Sequence, residues 1–152
     1  MAALTANSGS RERAKFGKIY SFPVAAGVHI YRGAIVAVSE GYAQPAKDEV
    51  DDASHLLVVG IAWEEADNSD GGDGDKDVRV HDGLRYRIDY AGADQTVVGK
   101  LATVVDDATV SKYQGAGHSN IVVGRITELI DATSVYVNME DRPSRTCSSA
   151  ND

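Results

Sequence analysis

Several features that mark common functional classes are scarce or missing in this chain. It has one cysteine, Cys147, in 152 residues, which excludes an internal disulfide and any zinc site built from several cysteines. It has no run of 18 apolar residues, so we expect no transmembrane helix. Residues Met1–Ser10 lack the apolar core of a signal peptide, so we expect no classical secretion.

Catalytic signatures are also missing. The four histidines include no pair spaced i, i+4, and the sequence contains neither a nucleophile elbow nor a phosphate-binding loop. His81 and Asp82 are adjacent like half of a catalytic dyad, but neighbouring strand residues point to opposite faces, so a structural turn is the favoured interpretation. We therefore expect a protein that is not an enzyme and that uses no cofactor and no metal.

Basic residues are outnumbered by acidic ones. Fifteen Lys and Arg against 23 Asp and Glu give a net charge of −8 and a pI of about 4.9. This charge argues against binding to nucleic acid or to an anionic membrane, since both need a basic surface. The imbalance is uneven, because Met1–Tyr20 carries four basic residues and one acid, or +3, which leaves −11 for the remainder. The basic segment is either a solvated chain end or an arm that orders on an acidic partner.

The sequence predicts β-strands along most of its length. Val28–Tyr31 and Ala34–Val38 are predicted strands, with Gly33 supplying a hairpin turn between them. Leu56–Glu65 is the longest apolar run and predicts a central strand covered on both faces, with Leu57, Val59, Ile61 and Trp63 on one side.

Alternation continues in the second half of the chain. Val78–Val80 and Leu84–Tyr90 flank Asp82-Gly83, which predicts a two-residue hairpin turn. Further strands are predicted at Leu101–Val105, Thr109–Lys112, Ile121–Leu129 and Ser134–Met139. Short strands with turn signals and little helical periodicity indicate an all-β protein, either a small antiparallel barrel or a sandwich. The domain plan is an extended basic N-terminal arm at 1–21, a β-domain at 22–140 and a polar tail at 141–152.

One acidic loop has the composition of a cation site. Asp67–Asp77 places carboxylates at alternating positions, as Ca²⁺ prefers, but the EF-hand register fails from either Asp67 or Asp73. The favoured interpretation is a mobile, hydrated loop between two strands, with a weak calcium site as the alternative.

The order of these segments resembles the capsid decoration (cement) proteins of tailed bacteriophages. The resemblance covers Phe22–Met139 and is carried by strand and turn segments: Pro23–Val28, Tyr31–Val36, Gly41–Ala46, Val59–Glu65, Asp67–Ser69, Val78–Val80, Val104–Val110 and Val123–Ile126. It implies a β-tulip-like fold and a structural role on the outer surface of the phage head, after assembly in the host cytoplasm. There the protein would bridge neighbouring major capsid protein subunits, with a trimer as the favoured homo-oligomer.

The resemblance also implies a docking role for the N-terminal arm, which we place on Arg11–Phe22. Basic and aromatic residues alternate there as an added edge strand would require. The candidate docking residues are Arg11, Arg13, Lys15, Phe16, Lys18 and Tyr20. The alternative is that Phe16, Ile19 and Tyr20 simply begin the protein's own first strand.

Two other classes remain open. One is a different virion β-protein, such as a tail-tube, baseplate or head-fibre component. The other is a carbohydrate-binding module that uses Trp63, Tyr86, Tyr90 or Tyr113 as an exposed sugar platform. Against it, Trp63 lies in the most apolar segment, which indicates a core or interface residue.

Overall fold

Alternating apolar residues form short strands throughout the computed structural model, which describes residues 18–48, 56–83, 85–113 and 120–139. Within these ranges the only helical element is a 3-10 turn at Gln95–Val97. The strands are β1 (Lys18–Pro23), β2 (Val28–Ile30), β3 (Ile35–Ser39), β4 (Tyr42–Pro45), β5 (Leu57–Ala62), β6 (Ala66–Asn68), β7 (Asp77–Asp82), β8 (Arg85–Asp89), β9 (Leu101–Val104), β10 (Val110–Lys112), β11 (Val122–Asp131) and β12 (Ser134–Asn138). The predicted all-β class is confirmed.

The strands form two five-stranded antiparallel sheets and one small pair. The first sheet has the order β1-β7-β5-β3-β4, the second has the order β10-β9-β11-β12-β8, and β2 pairs with β6. Each large sheet curls, because an isolated bridge brings its two ends together: Val24 with Ala43 in the first sheet, and Asp89 with Thr109 in the second. The architecture is a sandwich of two curled sheets.

The first sheet is covered on both faces. Its β3 and β5 pack against the second sheet in the larger apolar cluster, to which Ile35, Ile61 and Ile126 belong. Its other face packs on the β2–β6 pair in a smaller cluster that includes Ile30 and Val78. Burial of this apolar surface from water is the main stabilising term for such a fold.

A bulge in β5 distributes its side chains between the two clusters. The register with β3 shifts between Gly60 and Val58, so Val59 is an extra residue in the strand. Val58 and Ile61 therefore belong to the larger cluster, while Val59 and Ala62 pack in the smaller one. The predicted central strand with two covered faces is confirmed, but the prediction that Val59 and Ile61 share a face is wrong.

Both predicted hairpins are wrong, although all their strands exist. β2 pairs with β6 whereas β3 pairs with β4 and β5. β7 pairs with β1 and β5 whereas β8 pairs with β12 in the second sheet. Gly33 and Gly83 have the expected positive φ of +87° and +80°, but each turn carries the chain to another sheet. His81 and Asp82 lie in β7, so the turn begins only at Gly83.

The predicted alternation in the second sheet is confirmed. Ile88 and Tyr90 are buried, while the intervening Arg87 and Asp89 are exposed. Val135 and Val137 of β12 are fully buried, as their inward assignment requires.

The predicted tail at 141–152 and residues 1–17 of the predicted arm lie outside the described residues. In the part of the chain that the structure describes, no helix has both the length and the hydropathy needed to cross a membrane.

Candidate functional site

Strand β1 forms an edge of the first sheet. Along Lys18–Pro23 it pairs with β7, from Lys18 opposite Asp82 to Pro23 opposite Asp77. Immediately after the strand its outer side meets β4, where Val24 bridges to Ala43 and the Ala25 amide donates to the Ala43 carbonyl oxygen at 2.9 Å. Among the described strands, the outer edge of β1 is therefore unpaired only ahead of that contact. The predicted boundary between arm and domain, at residues 21 and 22, therefore falls inside a strand. An edge strand presents a row of backbone groups that a strand from another chain can pair with.

The hydrogen-bond pattern shows which backbone groups of β1 face outward. The amide of Val24 donates to the carbonyl oxygen of Lys76 at 2.8 Å, and partners alternate along an antiparallel pair. The amides of Ile19 and Ser21 are therefore directed to the outer edge. Pro23, which has no amide hydrogen, also occupies an outward position, where an edge strand tolerates proline.

Exposed apolar side chains accompany this edge. Ile19 is 38% exposed and Tyr20 is 47% exposed. As neighbours in a strand they lie on opposite faces of the sheet. The ring centroid of Tyr20 is 6.5 Å from that of Phe22. Apolar side chains thus lie on both faces beside the open backbone edge.

The candidate docking residues fall into two groups. Lys18 and Tyr20 belong to β1, together with Ile19, which agrees with the alternative that Ile19 and Tyr20 begin the protein's own first strand. The other four candidates lie outside the described residues: Arg11, Arg13, Lys15 and Phe16. Ile19 and Ser21 were not among the candidates, because only the register with β7 reveals which amides point outward.

A second feature is a row of three rings between the large sheets. The ring centroid of Trp63 lies 4.8 Å from that of His81, which lies 6.3 Å from that of Tyr86. Trp63 is 45% exposed because β5 ends at Ala62 and the chain bends there. Trp63 is therefore not a core residue. We call these three residues the aromatic row.

Of the three rings, Tyr86 alone lines a pocket of about 160 Å³ whose lining comes from both large sheets. Tyr86 and Ile61 line it, with the exposed Arg87 and Asp89 from β8. The hydroxyl of Tyr86 is buried and has no hydrogen-bond partner among the described groups. Burial and the nearby Asp82 carboxylate raise the pKa of Tyr86 to about 12, so the hydroxyl keeps its proton at neutral pH.

A charged pair lies next to Trp63. The Trp63 amide donates to the carbonyl oxygen of Arg79 at 2.8 Å. The Arg79 guanidinium in turn donates to both carboxylate oxygens of Glu64, at 3.1 and 3.0 Å. These hydrogen bonds hold the pKa of Glu64 below its ordinary value. The Arg79–Glu64 pair orders the chain next to Trp63, because a contact through two hydrogen bonds restricts both side chains.

Carboxylates of the acidic loop accept hydrogen bonds from nearby amides and a hydroxyl. Asp73 accepts a hydrogen bond from the Ala26 amide at 2.8 Å, and Asp75 accepts one from the Gly72 amide at 2.8 Å. Asp67 accepts from the amide and the hydroxyl of Ser69. The loop lies between two strands, β6 and β7, as the sequence predicts, and its carboxylates are exposed to water. Hydrogen bonds tie it to its own backbone and to Ala26. Across the described residues, no group of three His, Cys, Asp or Glu side chains is arranged to hold a metal ion.

The structure separates the four members of the predicted sugar platform. Trp63 and Tyr86 are brought together through His81. Tyr90 is buried in the larger cluster, and its hydroxyl accepts from the amide of Lys112 at 3.2 Å. Tyr113 is exposed beyond the end of β10.

Comparisons of the chain with known protein families, curated proteins and solved structures returned no match. The relation to phage decoration proteins therefore remains a resemblance of segments.

Proposed function

We propose that this chain is a capsid decoration (cement) protein of a tailed bacteriophage. It binds the outer surface of the head and stabilises the lattice of the major capsid protein. The observation that carries the proposal is the open edge of β1, with outward amides at Ile19 and Ser21 and the exposed side chain of Tyr20 beside them. A strand of the capsid protein that pairs with this edge satisfies both partners' backbone groups without a deep pocket.

Charge gives the docking an orientation. The segment Met1–Tyr20 carries +3 on a chain of net charge −8, and its last three residues belong to β1. An acidic capsid surface would attract this segment and repel the remaining body, so complementary charge would select the β1 edge. Several copies that each bridge capsid subunits, as trimers or otherwise, would add avidity to a weak single contact.

The sharpest test is Ser21→Pro, with Ser21→Ala as the matched control. Proline removes the outward amide of residue 21 and leaves the hydrogen bonds to β7 in place, because those come from the alternate residues. Undecorated heads are mixed with each variant, pelleted, and the bound protein is quantified. We expect the alanine variant to bind like the parent chain and the proline variant to lose about 3- to 10-fold in affinity per contact, because it lacks one hydrogen bond.

A second variant separates the arm from the edge. Removing residues 1–17 leaves β1 intact and deletes the basic and aromatic candidates Arg11, Arg13, Lys15 and Phe16. Loss of binding in this variant alone would assign docking to the arm. Full decoration by both the truncated chain and the Ser21→Pro variant would overturn the proposed docking mode. Binding confined to tails or baseplates would replace the proposal with another virion role.

A further inference from the structure

We propose that the outer edge of β8 binds an extended acidic peptide of a partner protein. The peptide adds to the second sheet as a further strand, with an apolar, an acidic and an apolar residue opposite Tyr86, Arg87 and Ile88. This site lies on the second sheet and uses no residue of β1. The proposal therefore does not rest on the docking mode proposed for β1, and either can fail alone.

The first argument is the open backbone edge of β8. This strand ends the second sheet, and β12 is its neighbour there. The Tyr90 amide donates to the carbonyl oxygen of Thr133 at 2.9 Å, and partners alternate along an antiparallel pair, so every second amide before Tyr90 also faces β12. The amides and carbonyl groups of Arg85 and Arg87 are therefore directed outward, where an added strand can pair with them.

The second argument is the pocket of about 160 Å³, which lies beside this edge. β8 contributes one wall of the pocket, and Ile35 and Ile61 of the first sheet contribute another. Ala108 also lines it, next to the bridge between Asp89 and Thr109. A cavity of about 150 Å³ can hold a benzene molecule, so the pocket has room for the side chain of a valine or a leucine.

The alternation of a strand directs an apolar side chain of the peptide into this pocket. Ile88 is buried and Tyr86 packs against the larger cluster, so both point toward the first sheet. Residues directly opposite each other on neighbouring strands share a face of the sheet. The two peptide residues opposite Tyr86 and Ile88 therefore also point toward the first sheet, where an apolar side chain is buried.

The third argument is the charge on the other face of β8. Arg87 is exposed and makes no ion pair within 4 Å among the described residues, although its charge helps to lower the pKa of Asp131. Arg85 reaches Glu128 at 3.6 Å, on the β12 side and away from the open edge. Asp89 is occupied by its bridge. A carboxylate opposite Arg87 therefore meets an exposed cation without a partner, which favours an acidic residue at that position.

Hydrogen exchange of the free chain tests the open edge. The outward amide of Arg87 should exchange at least about tenfold faster than the amide of Ile88, which faces β12. Equal protection of the two amides in the free chain would show that the edge is already covered and would overturn the proposal.

A peptide titration tests the ligand. The blocked peptide Thr-Val-Glu-Leu-Thr is added to the ¹⁵N-labelled full chain without capsids. We expect saturable NMR shifts of the Arg85 and Arg87 amides at a Kd of about 1 mM or below, and weaker binding, by about 3-fold or more, of the matched peptide Thr-Val-Lys-Leu-Thr. No saturable shift up to about 5 mM, or shifts confined to Ile19 and Ser21 of β1, would overturn the proposal.

Variants then assign the two contacts. Arg87→Glu should reverse the preference, so that the lysine peptide binds more tightly than the glutamate peptide. Ala108→Leu fills the pocket and should weaken both peptides about tenfold, the value of burying one apolar side chain. Ala132→Leu, at an exposed alanine in the turn between β11 and β12, is the matched control and should bind like the parent chain. The dispersion of each amide spectrum reports that the variant is folded. An unchanged preference in Arg87→Glu, or an unchanged affinity in Ala108→Leu, would overturn the assigned site.

Discussion

Asn68 holds the acidic loop from inside the protein. It is almost fully buried, and its side-chain amide donates to the carbonyl oxygens of Val24, Ala25 and Gly72, at distances of 3.3, 2.9 and 2.9 Å. Because the Asn68 amide group donates to three carbonyl oxygens, the side chain is held in one orientation. Its own oxygen lies against Gly71, where a Cβ atom would come within 2.1 Å of it. The glycine is therefore required by a close approach.

Gly71→Ala should accordingly destabilise the protein, and Gly72→Ala should not. The new methyl group at residue 71 would collide with the fixed Asn68 oxygen, whereas at residue 72 the nearest atom is 3.7 Å away. We expect a loss of about 1–3 kcal/mol in the free energy of unfolding for Gly71→Ala, the usual cost of overpacking. Urea denaturation measures both variants. Equal stability of the two would contradict the role given to Asn68.

Tyr86→Phe should stabilise the protein. The phenylalanine removes a buried hydroxyl that has no partner among the described groups, so the free energy of unfolding should rise by about 1 kcal/mol.

The pH dependence of that gain provides a second readout. Because the folded pKa of Tyr86 is raised to about 12, the parent chain loses stability as the pH rises above about 10, where the unfolded tyrosine ionises first. The variant should lack that contribution. Urea denaturation of the parent chain and of Tyr86→Phe at pH 7 and pH 11 measures this difference. If Tyr86→Phe is less stable than the parent chain at pH 7, the Tyr86 hydroxyl has a hydrogen-bond partner.

Turns between the strands are closed by aspartates that accept hydrogen bonds from the next residues. Asp131 accepts from the Thr133 amide at 2.8 Å in the turn between β11 and β12, and Asp94 accepts from the Thr96 amide at 2.9 Å before the 3-10 turn. The hydrogen bonds from the hydroxyl and the amide of Thr96 hold the pKa of Asp94 below its ordinary value, and those from the amide and the hydroxyl of Thr133 do the same for Asp131. The turns at 106–108 and 131–133 lie in the gaps between the strands that the sequence predicts.

Acid should weaken the β11–β12 turn. A folded pKa below the unfolded one contributes stability that is present above about pH 4 and is lost as the pH falls through the folded pKa. Asp131→Asn keeps an acceptor oxygen for the turn but does not titrate. We therefore expect a smaller loss of stability in Asp131→Asn than in the parent chain between pH 6 and pH 3, measured by urea denaturation at each pH. An identical loss would show that Asp131 does not contribute.

Strand positions could be predicted from the sequence, but their partners could not. The alternation in β8 and β12 reports directly which residues are buried, because the side-chain period of a strand is local. Gly33 and Gly83 indicate only that the chain changes direction at these positions. They do not specify the pairing, because the next strand joins whichever sheet buries its apolar face. The exposure of Trp63 was missed for a related reason, since the end of β5 depends on its neighbours. The outward amides of β1 likewise required the register with β7.

At the scale of the molecule, the proposed docking edge and the acidic loop are neighbours. The edge belongs to the first sheet, and the loop connects that sheet to the β2–β6 pair. β1 belongs to the first sheet, and the loop joins β6 to β7, the strand that pairs with β1. The loop also bonds back to the chain just after β1 through the Asp73 contact with Ala26. The loop therefore supports the end of the strand that we propose docks on the capsid.

The two curled sheets should unfold as one unit. β3 and β5 contribute side chains to both apolar clusters, Val36 to the smaller one and Val58 to the larger one, so neither cluster can open without exposing the first sheet. We expect urea transitions followed by Trp63 fluorescence and by far-UV circular dichroism to coincide, as two-state unfolding requires. Val36→Ala and Val58→Ala form a matched pair that removes the same atoms from opposite faces.

Each of these variants should lower the free energy of unfolding by about 1–3 kcal/mol and shift both signals together. If Val58→Ala instead moves the circular dichroism transition and leaves the fluorescence transition in place, the sheets are independent folding units. The docking edge of β1 would then remain formed after the second sheet had unfolded. Coincident shifts in both variants mean that the β1 edge persists only as long as the whole sandwich does, so any partner held by that edge would be lost when either cluster opens.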